Sequence, residues 1–141
     1  LILYLDASAL VKRYIAEKGS DLVNSWIGEA DMVVTSILTR VEVVTAIKLA
    51  QRMKIITPEH AQLAIRQFRA EWESYQRLPI TESTVSRGDN LACEHGLRGY
   101  DATHLASLLF WQEAIGQPIT LAAFDSQLLN AAMDEGLRTL P

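Results

Sequence analysis

Five apolar runs of four to six residues punctuate this chain, and the stretches between them carry apolar residues at helical spacing. Short runs rich in strand formers read as buried strands, whereas apolar positions recurring every three or four residues read as one-sided helices. The runs are Leu1–Leu5, Met32–Thr35, Leu78–Thr81, Ile119–Phe124 and Leu137–Leu140. Between them the pattern predicts helices over Ala7–Ala16, Ser20–Ala30, Thr39–Met53, Pro58 to about Gln76, Glu82–His95, Asp101–Ile115 and Ser126–Glu135. Thr57 and Pro58 supply a cap and a first-position proline, and Gly96 a stop. Strands interleaved with helices call for an α/β architecture, a parallel sheet covered by helices on both faces.

Size and composition narrow this further. A chain of 141 residues fits one domain, spanning 1–141. With 49% apolar and 21% charged residues it has enough apolar surface to fold. Cys93 is the lone cysteine, which excludes an intrachain disulfide and a cysteine-rich zinc site. Leu1–Leu5 stops at Asp6, short of a signal-peptide core, and Leu105–Trp111 falls well below the ~20 residues of a membrane span. The expectation is a soluble, cytoplasmic protein without membrane association. The chain begins at Leu1 rather than Met, which leaves room for residues upstream. A net charge of −4 argues against a protein that holds nucleic acid by bulk positive charge.

Two of the apolar runs end on an acid: Asp6 follows Leu1–Leu5 and Asp125 follows Ile119–Phe124. Ligands of open parallel sheets bind beyond the carboxyl ends of the strands, where two such acids could converge. Glu42 lies among Val41, Val43 and Val44, and Asp101 opens a strongly apolar helix. Each acid alone has an ordinary explanation: Asp101 and Asp125 as helix N-caps, Glu42 on a solvated face. Together they carry more weight. Four carboxylates in one pocket repel and take up protons unless cations neutralise them. Mg²⁺ or Mn²⁺, which prefer oxygen ligands, fit such a set and suit phosphodiester hydrolysis by a metal-activated water.

The residues around these acids resemble the PIN domain, in particular the VapC-type toxin ribonucleases. The likeness rests on Leu3-Tyr4-Leu5-Asp6-Ala7-Ser8-Ala9-Leu10, on Ser36-Ile37-Leu38-Thr39-Arg40-Val41-Glu42-Val43, on Leu97-Arg98-Gly99-Tyr100-Asp101-Ala102-Thr103-His104-Leu105-Ala106 and on Phe124-Asp125-Ser126-Gln127-Leu128-Leu129-Asn130-Ala131-Ala132. Four motifs in order cover nearly the whole chain. The resemblance implies a three-layer α/β/α PIN-like domain with about five mainly parallel strands, and Mg²⁺- or Mn²⁺-dependent endoribonuclease activity. It implies Asp6, Glu42 and Asp101 as metal ligands and Asp125 as a fourth acid. It also implies Ser8 as a hydroxyl orienting Asp6 or a metal-bound water; otherwise Ser8 reads as a helix cap. An RNA substrate, a cognate antitoxin and a homodimer come with the family. One position departs from it: many relatives carry Thr or Ser two residues before the fourth acid, where this chain has Ala123.

His104, three residues after Asp101 on the same helix face, reads as a metal ligand, a proton shuttle or a structural donor. Its neighbours Ala102, Leu105 and Leu108 favour a satisfied near-core residue. From Arg40 to Arg98 there are nine Lys/Arg against seven Asp/Glu, so the remainder carries the acidic excess. Arg40 and Arg98, nearest the acids in sequence, are the favoured phosphate contacts, ahead of Arg66, Arg69, Arg77 and Arg87. Trp72 and Tyr75 could stack on bases or sit in the core. Val43, Ile47, Ala50 and the helix after Pro58 could form an oligomer seam or an antitoxin groove.

Other phosphate-handling folds fit poorly. No G-x-G-x-x-G or P-loop follows the first strand. Asp6-Ala7-Ser8 is not the Asp-x-Asp of aspartyl-phosphate phosphatases, and no lysine follows Lys54, as a response-regulator receiver would require. The remaining competitor is a PIN-like scaffold or partner-binding module with weak or absent nuclease activity.

Overall fold

β1 (Ile2–Leu5) is the middle strand of the sheet, and its sequence suits that place: a strand whose only polar atom is the Tyr4 hydroxyl favours burial on both faces. In the computed structural model, which describes all 141 residues, it is followed by α1 (Ala7–Tyr14), α2 (Ser20–Glu29), β2 (Met32–Ser36), α3 (Thr39–Arg52) and α4 (Pro58–Glu71). β3 (Gln76–Leu78), α5 (Glu82–His95), α6 (Gly99–Ile115), β4 (Thr120–Ala122), α7 (Ser126–Asp134) and β5 (Arg138–Leu140) complete the chain. The strands lie in the order β3-β2-β1-β4-β5 and every neighbouring pair is parallel, as the three-layer α/β expectation requires.

Side chains alternate across the pleat, so β1 feeds two cores. Leu3 and Leu5 pack with Leu10, Val43, Ile47, Ala64 and Phe68 from α1, α3 and α4. Tyr4 points the other way, into Leu91, Leu105, Leu108 and Leu128 from α5, α6 and α7. α6 is buried through its middle, at Ala102 and from His104 to Leu109, and forms the spine of that second layer. No helix is long and apolar enough to cross a membrane.

Most element boundaries differ from the sequence reading by one or two residues, and the differences around β3 and α6 have identifiable causes or consequences. α4 stops at Glu71, a single 3₁₀ turn covers Trp72–Ser74, and β3 runs Gln76–Leu78 rather than Leu78–Thr81. Pro79 has no N–H to give a ladder, so the strand has to precede it. α6 starts at Gly99, two residues before Asp101. Trp72 and Tyr75 are buried in the α1–α4 layer, which removes them as base-stacking platforms. Val43 and Ile47 are fully buried in the same layer and are unavailable to an oligomer seam.

Away from the acids, Glu71 ties several elements together. It accepts from Arg13 Nε (2.7 Å) and Nη2 (3.0 Å), from the Tyr14 hydroxyl (2.7 Å) and from the Tyr75 hydroxyl (3.2 Å). Bidentate arginine pairs of this kind are the stronger type of ion pair. They fix the end of α4 against the end of α1.

The layering yields a direct expectation. Leu5 is fully buried between β1 and the α1–α4 layer, whereas Leu63 on α4 is largely exposed. Leu5→Ala should lower unfolding stability in denaturant titration by about 2–5 kcal/mol, and Leu63→Ala by less than ~0.5 kcal/mol.

Candidate active site

β1 is flanked by β2, the next strand in sequence, on one side and by β4 on the other. At such a reversal of strand order the loops diverge and leave a crevice beyond the carboxyl ends. Asp6 directly follows β1, Glu42 is in the first turn of α3 after β2, and Asp125 comes three residues after β4. Asp101, in the first turn of α6, completes the set.

Asp6 is 3% exposed and caps α1: its Oδ1 accepts from the Ala9 N–H at 3.0 Å. Ser8 Oγ donates to the same carboxylate (2.7 Å to Oδ1, 2.9 Å to Oδ2) and accepts from the Phe124 N–H at 3.0 Å. Ser8 therefore joins the end of β1 to the segment after β4 and holds Asp6 in place; the cap is Asp6 itself. Asp125 caps α7 in the same manner, with Oδ1 accepting from the Leu128 N–H at 2.9 Å. Capping engages one oxygen of each aspartate; the other faces Ser8 Oγ in Asp6 and the exposed Arg98 guanidinium in Asp125, and each carboxylate oxygen has a further lone pair, so the structural and functional readings of these residues are compatible. Asp101 is not a cap. With Arg98 in the capping position, its carboxylate lies within the first turn of α6, at the positive end of the helix dipole.

The charges feel one another. Burial, with a smaller contribution from the nearby negative charge of Asp101, raises the Asp6 pKa to about 6 despite the opposing influence of His104 and the Ser8 and Ala9 hydrogen bonds. Asp101 is raised by its own burial and by Asp125, against the pull of Arg98 and His104. Tyr4 is raised by burial and by both Asp6 and Glu42. Asp6 thus senses Asp101 and Asp101 senses Asp125, yet no three of the four acids bring oxygens within 4.8 Å of one another. An all-oxygen, anionic set with that spacing fits a hard cation such as Mg²⁺ or Mn²⁺, which keeps part of its own water shell between itself and the protein. It offers no thiol and no free imidazole for a softer metal.

His104 is fully buried. Its Nε2 lies 2.6 Å from Glu42 Oε1 and its Nδ1 2.7 Å from the Tyr4 hydroxyl. With both ring nitrogens engaged it has no lone pair left for a metal. Glu42 is thus drawn toward α6 rather than lying on a solvated face. Thr35 Oγ1 donates to Leu5 O (2.7 Å) and is hydrogen-bonded to Thr39 Oγ1 (2.7 Å), which pins the start of α3, and hence Glu42, to the end of β1. Tyr4, Thr35 and Thr39 escaped the sequence reading; the signal for Tyr4 was a hydroxyl inside an otherwise aliphatic central strand. Ala123, where relatives carry a hydroxyl, is fully buried in the α5–α7 core.

The arginines divide. Arg98 is the cation that reaches the acids, with Nη2 2.8 Å from Asp125 Oδ2 and Nε 3.4 Å from Asp101 Oδ2. Arg40 sits over the Trp72 ring at 5.9 Å, without a carboxylate partner. Arg66 and Arg69 line a groove of about 700 Å³ between α3 and α4 together with Lys48, and none of the four acids borders it. Arg87 is paired with Glu113, and Arg77 is an exposed residue of the edge strand β3. A separate group, Glu94, His95 and Glu135, is held by the His95 Nε2–Glu135 Oε1 contact of 2.9 Å and fastens the end of α5 to the end of α7.

The raised pKa of Asp6 makes a testable demand on stability. The folded protein keeps this proton up to about pH 6, whereas the unfolded chain releases it near the ordinary aspartate value of 3.8. Stability from this group is therefore lost as pH rises between those values, and the loss is complete above them. In metal-free buffer, Asp6→Asn should raise the unfolding free energy at pH 7 by on the order of 1–3 kcal/mol and leave it nearly unchanged at pH 4. Thermal unfolding at both pH values measures this, and equal effects at the two would contradict it.

Comparison with known proteins identifies the family and the fold. The family model described as the PIN domain matches residues 3–132. Ribonuclease VapC45 of Mycobacterium tuberculosis is 33% identical over 141 residues, which cover 99% of this chain and 95% of the relative. Among solved structures, PAE2754 from Pyrobaculum aerophilum superposes with a TM-score of 0.68 at 22% identity, covering 99% of this chain and 83% of its own. VapBC-1 from nontypeable Haemophilus influenzae superposes with a TM-score of 0.65 at 15% identity, covering 99% and 97%. The fold, the strand-end acids and the extent of these matches lead to one conclusion: the chain belongs to the PIN domain family.

Proposed function

We propose that this protein is a Mg²⁺- or Mn²⁺-dependent endoribonuclease that hydrolyses phosphodiester bonds in RNA and serves as the toxin of a toxin–antitoxin pair. What supports the reading is that Asp6, Glu42 and Asp125 follow β1, β2 and β4 at their carboxyl ends, while α6 reaches them through Arg98, which is bonded to Asp101 and Asp125, and through His104, which is bonded to Glu42. The 33% identity to a relative named as a ribonuclease supports the substrate class. A solved neighbour named VapBC-1 is the reason for proposing an antitoxin partner, and the family resemblance the reason for proposing a homodimer.

In this reading Asp6, Glu42 and Asp101 hold the cation, with Asp125 as the fourth acid. When bound, the cation activates a water as nucleophile and neutralises charge on the phosphate. The chain's own groups set the stage for that chemistry. Ser8 keeps Asp6 oriented through its single O–H, which is shared between the two carboxylate oxygens. The exposed guanidinium of Arg98 can exchange its long 3.4 Å contact with Asp101 for a phosphate oxygen while it stays paired with Asp125. Arg40, exposed and without an acid partner, provides a second phosphate contact two residues from Glu42. Four carboxylates also account for an amount equal to the whole −4 net charge, so an acidic balance is compatible with a nuclease whose acids are its site.

Purified protein free of any partner should cleave single-stranded RNA in the presence of Mn²⁺. Asp6→Asn and Asp101→Asn should each reduce the rate at least ~100-fold, as expected for loss of a group that organises the reaction. Intact RNA after incubation of the wild-type protein would support the alternative of a non-catalytic scaffold. Undiminished cleavage by both variants would move the site elsewhere.

A further inference from the structure

A hydrogen-bonded line runs from the middle of the sheet to the acids. The Tyr4 hydroxyl lies 2.7 Å from His104 Nδ1, and His104 Nε2 lies 2.6 Å from Glu42 Oε1. Tyr4 and His104 are both buried, their rings meeting edge-on with centroids 5.8 Å apart. Burying a phenol and an imidazole beside each other is costly unless their polar atoms are satisfied, and an apolar pair would fill the same space. The proton positions along the line follow from the inventory of donors and acceptors. An ionised carboxylate only accepts, so Nε2 carries a proton toward Glu42. With that single proton on the ring, Nδ1 offers a lone pair and the Tyr4 O–H is the group placed to donate to it.

We infer that Tyr4 and His104 are positioning residues for Glu42: Tyr4 fixes which imidazole nitrogen is protonated, and His104 fixes the carboxylate that it faces. Glu42 Oε2 accepts no hydrogen bond and is left for a cation. Carboxylates that ligate metals are commonly held in this way by a neighbouring donor, which sets their orientation. The arrangement gives β1 control of two acids, Asp6 through its backbone and Glu42 through Tyr4. It gives α6 control of two as well, Asp101 as its own residue and Glu42 through His104. The inference rests on the reading of Glu42 as a cation ligand, and its test separates the two.

The test is Mn²⁺ binding, measured by titration calorimetry at one pH, with the metal-free unfolding midpoint of every variant as control. His104→Ala should weaken Mn²⁺ binding by roughly 10–100-fold, and Tyr4→Phe by less. His104→Gln, whose side-chain amide donates to Glu42 without any tautomer to be fixed, should recover most of the affinity. In the His104→Gln background, Tyr4→Phe should cost nothing further. A packing role alone would lower the unfolding midpoints without this pattern of rescue. Wild-type affinity in His104→Ala, or an equal cost of Tyr4→Phe in both backgrounds, would overturn the positioning role while leaving the cation site intact. Absence of Mn²⁺ binding by the wild-type protein would overturn both, and loss of binding in Asp6→Asn alone would support the site without the relay.

Discussion

Bringing four carboxylates to one end of a parallel sheet sets repulsion and desolvation against folding, and much of the polar structure contains that conflict. Asp6 is the extreme case, nearly inaccessible and with its proton affinity raised by burial. The protein answers with short-range hydrogen bonds rather than with buried counter-charges. Ser8 and the first turn of α1 hold Asp6, α7 holds Asp125, and His104 holds Glu42. Only Arg98 brings a formal positive charge, and it does so from the solvent side. A carboxylate held by donors keeps its negative charge for a ligand, whereas one locked in a buried salt bridge would have spent it.

The two apolar cores make this arrangement affordable. β1 has no polar residue apart from the Tyr4 hydroxyl, so nearly every side chain it presents contributes to burial on one face or the other. The clamp around Glu71 adds directional contacts between α1, α4 and the segment leading into β3. Stabilising contributions are thus spread through the layers, while the unfavourable electrostatics are confined to one crevice.

How much of this could be read from the chain itself depended on the range of the interaction. Strand and helix identities were legible because side-chain periodicity is a local property, and Gly96 was legible as a stop because α5 ends there in the left-handed conformation. The strand-end positions of Asp6 and Asp125 were legible for the same reason. What was not legible depends on pairs distant in sequence. His104 and Tyr4 are a hundred residues apart, and nothing at either position announces the other. The bond between Arg98 and Asp125 hides in the same way, since it joins the end of one connection to the start of another helix. β3 was placed too late because the apolar run that includes Pro79 looked like the better strand, and the missing amide of that proline outweighed its hydrophobicity.

The placement of Glu71 has a consequence for how such a chain can diversify. Its ring of partners gathers the end of α1, the end of α4 and the entry to β3, whereas the acids gather the start of α1 and the loops at the opposite ends of the strands. Substitutions at the two places share no partner, so their energetic effects should combine almost independently. Sequence drift around the crevice, where recognition of a particular nucleic acid would be tuned, can then proceed without loosening the far end of the sheet. A scaffold anchored at one pole and variable at the other is suited to producing many relatives that share a fold while differing in what they recognise.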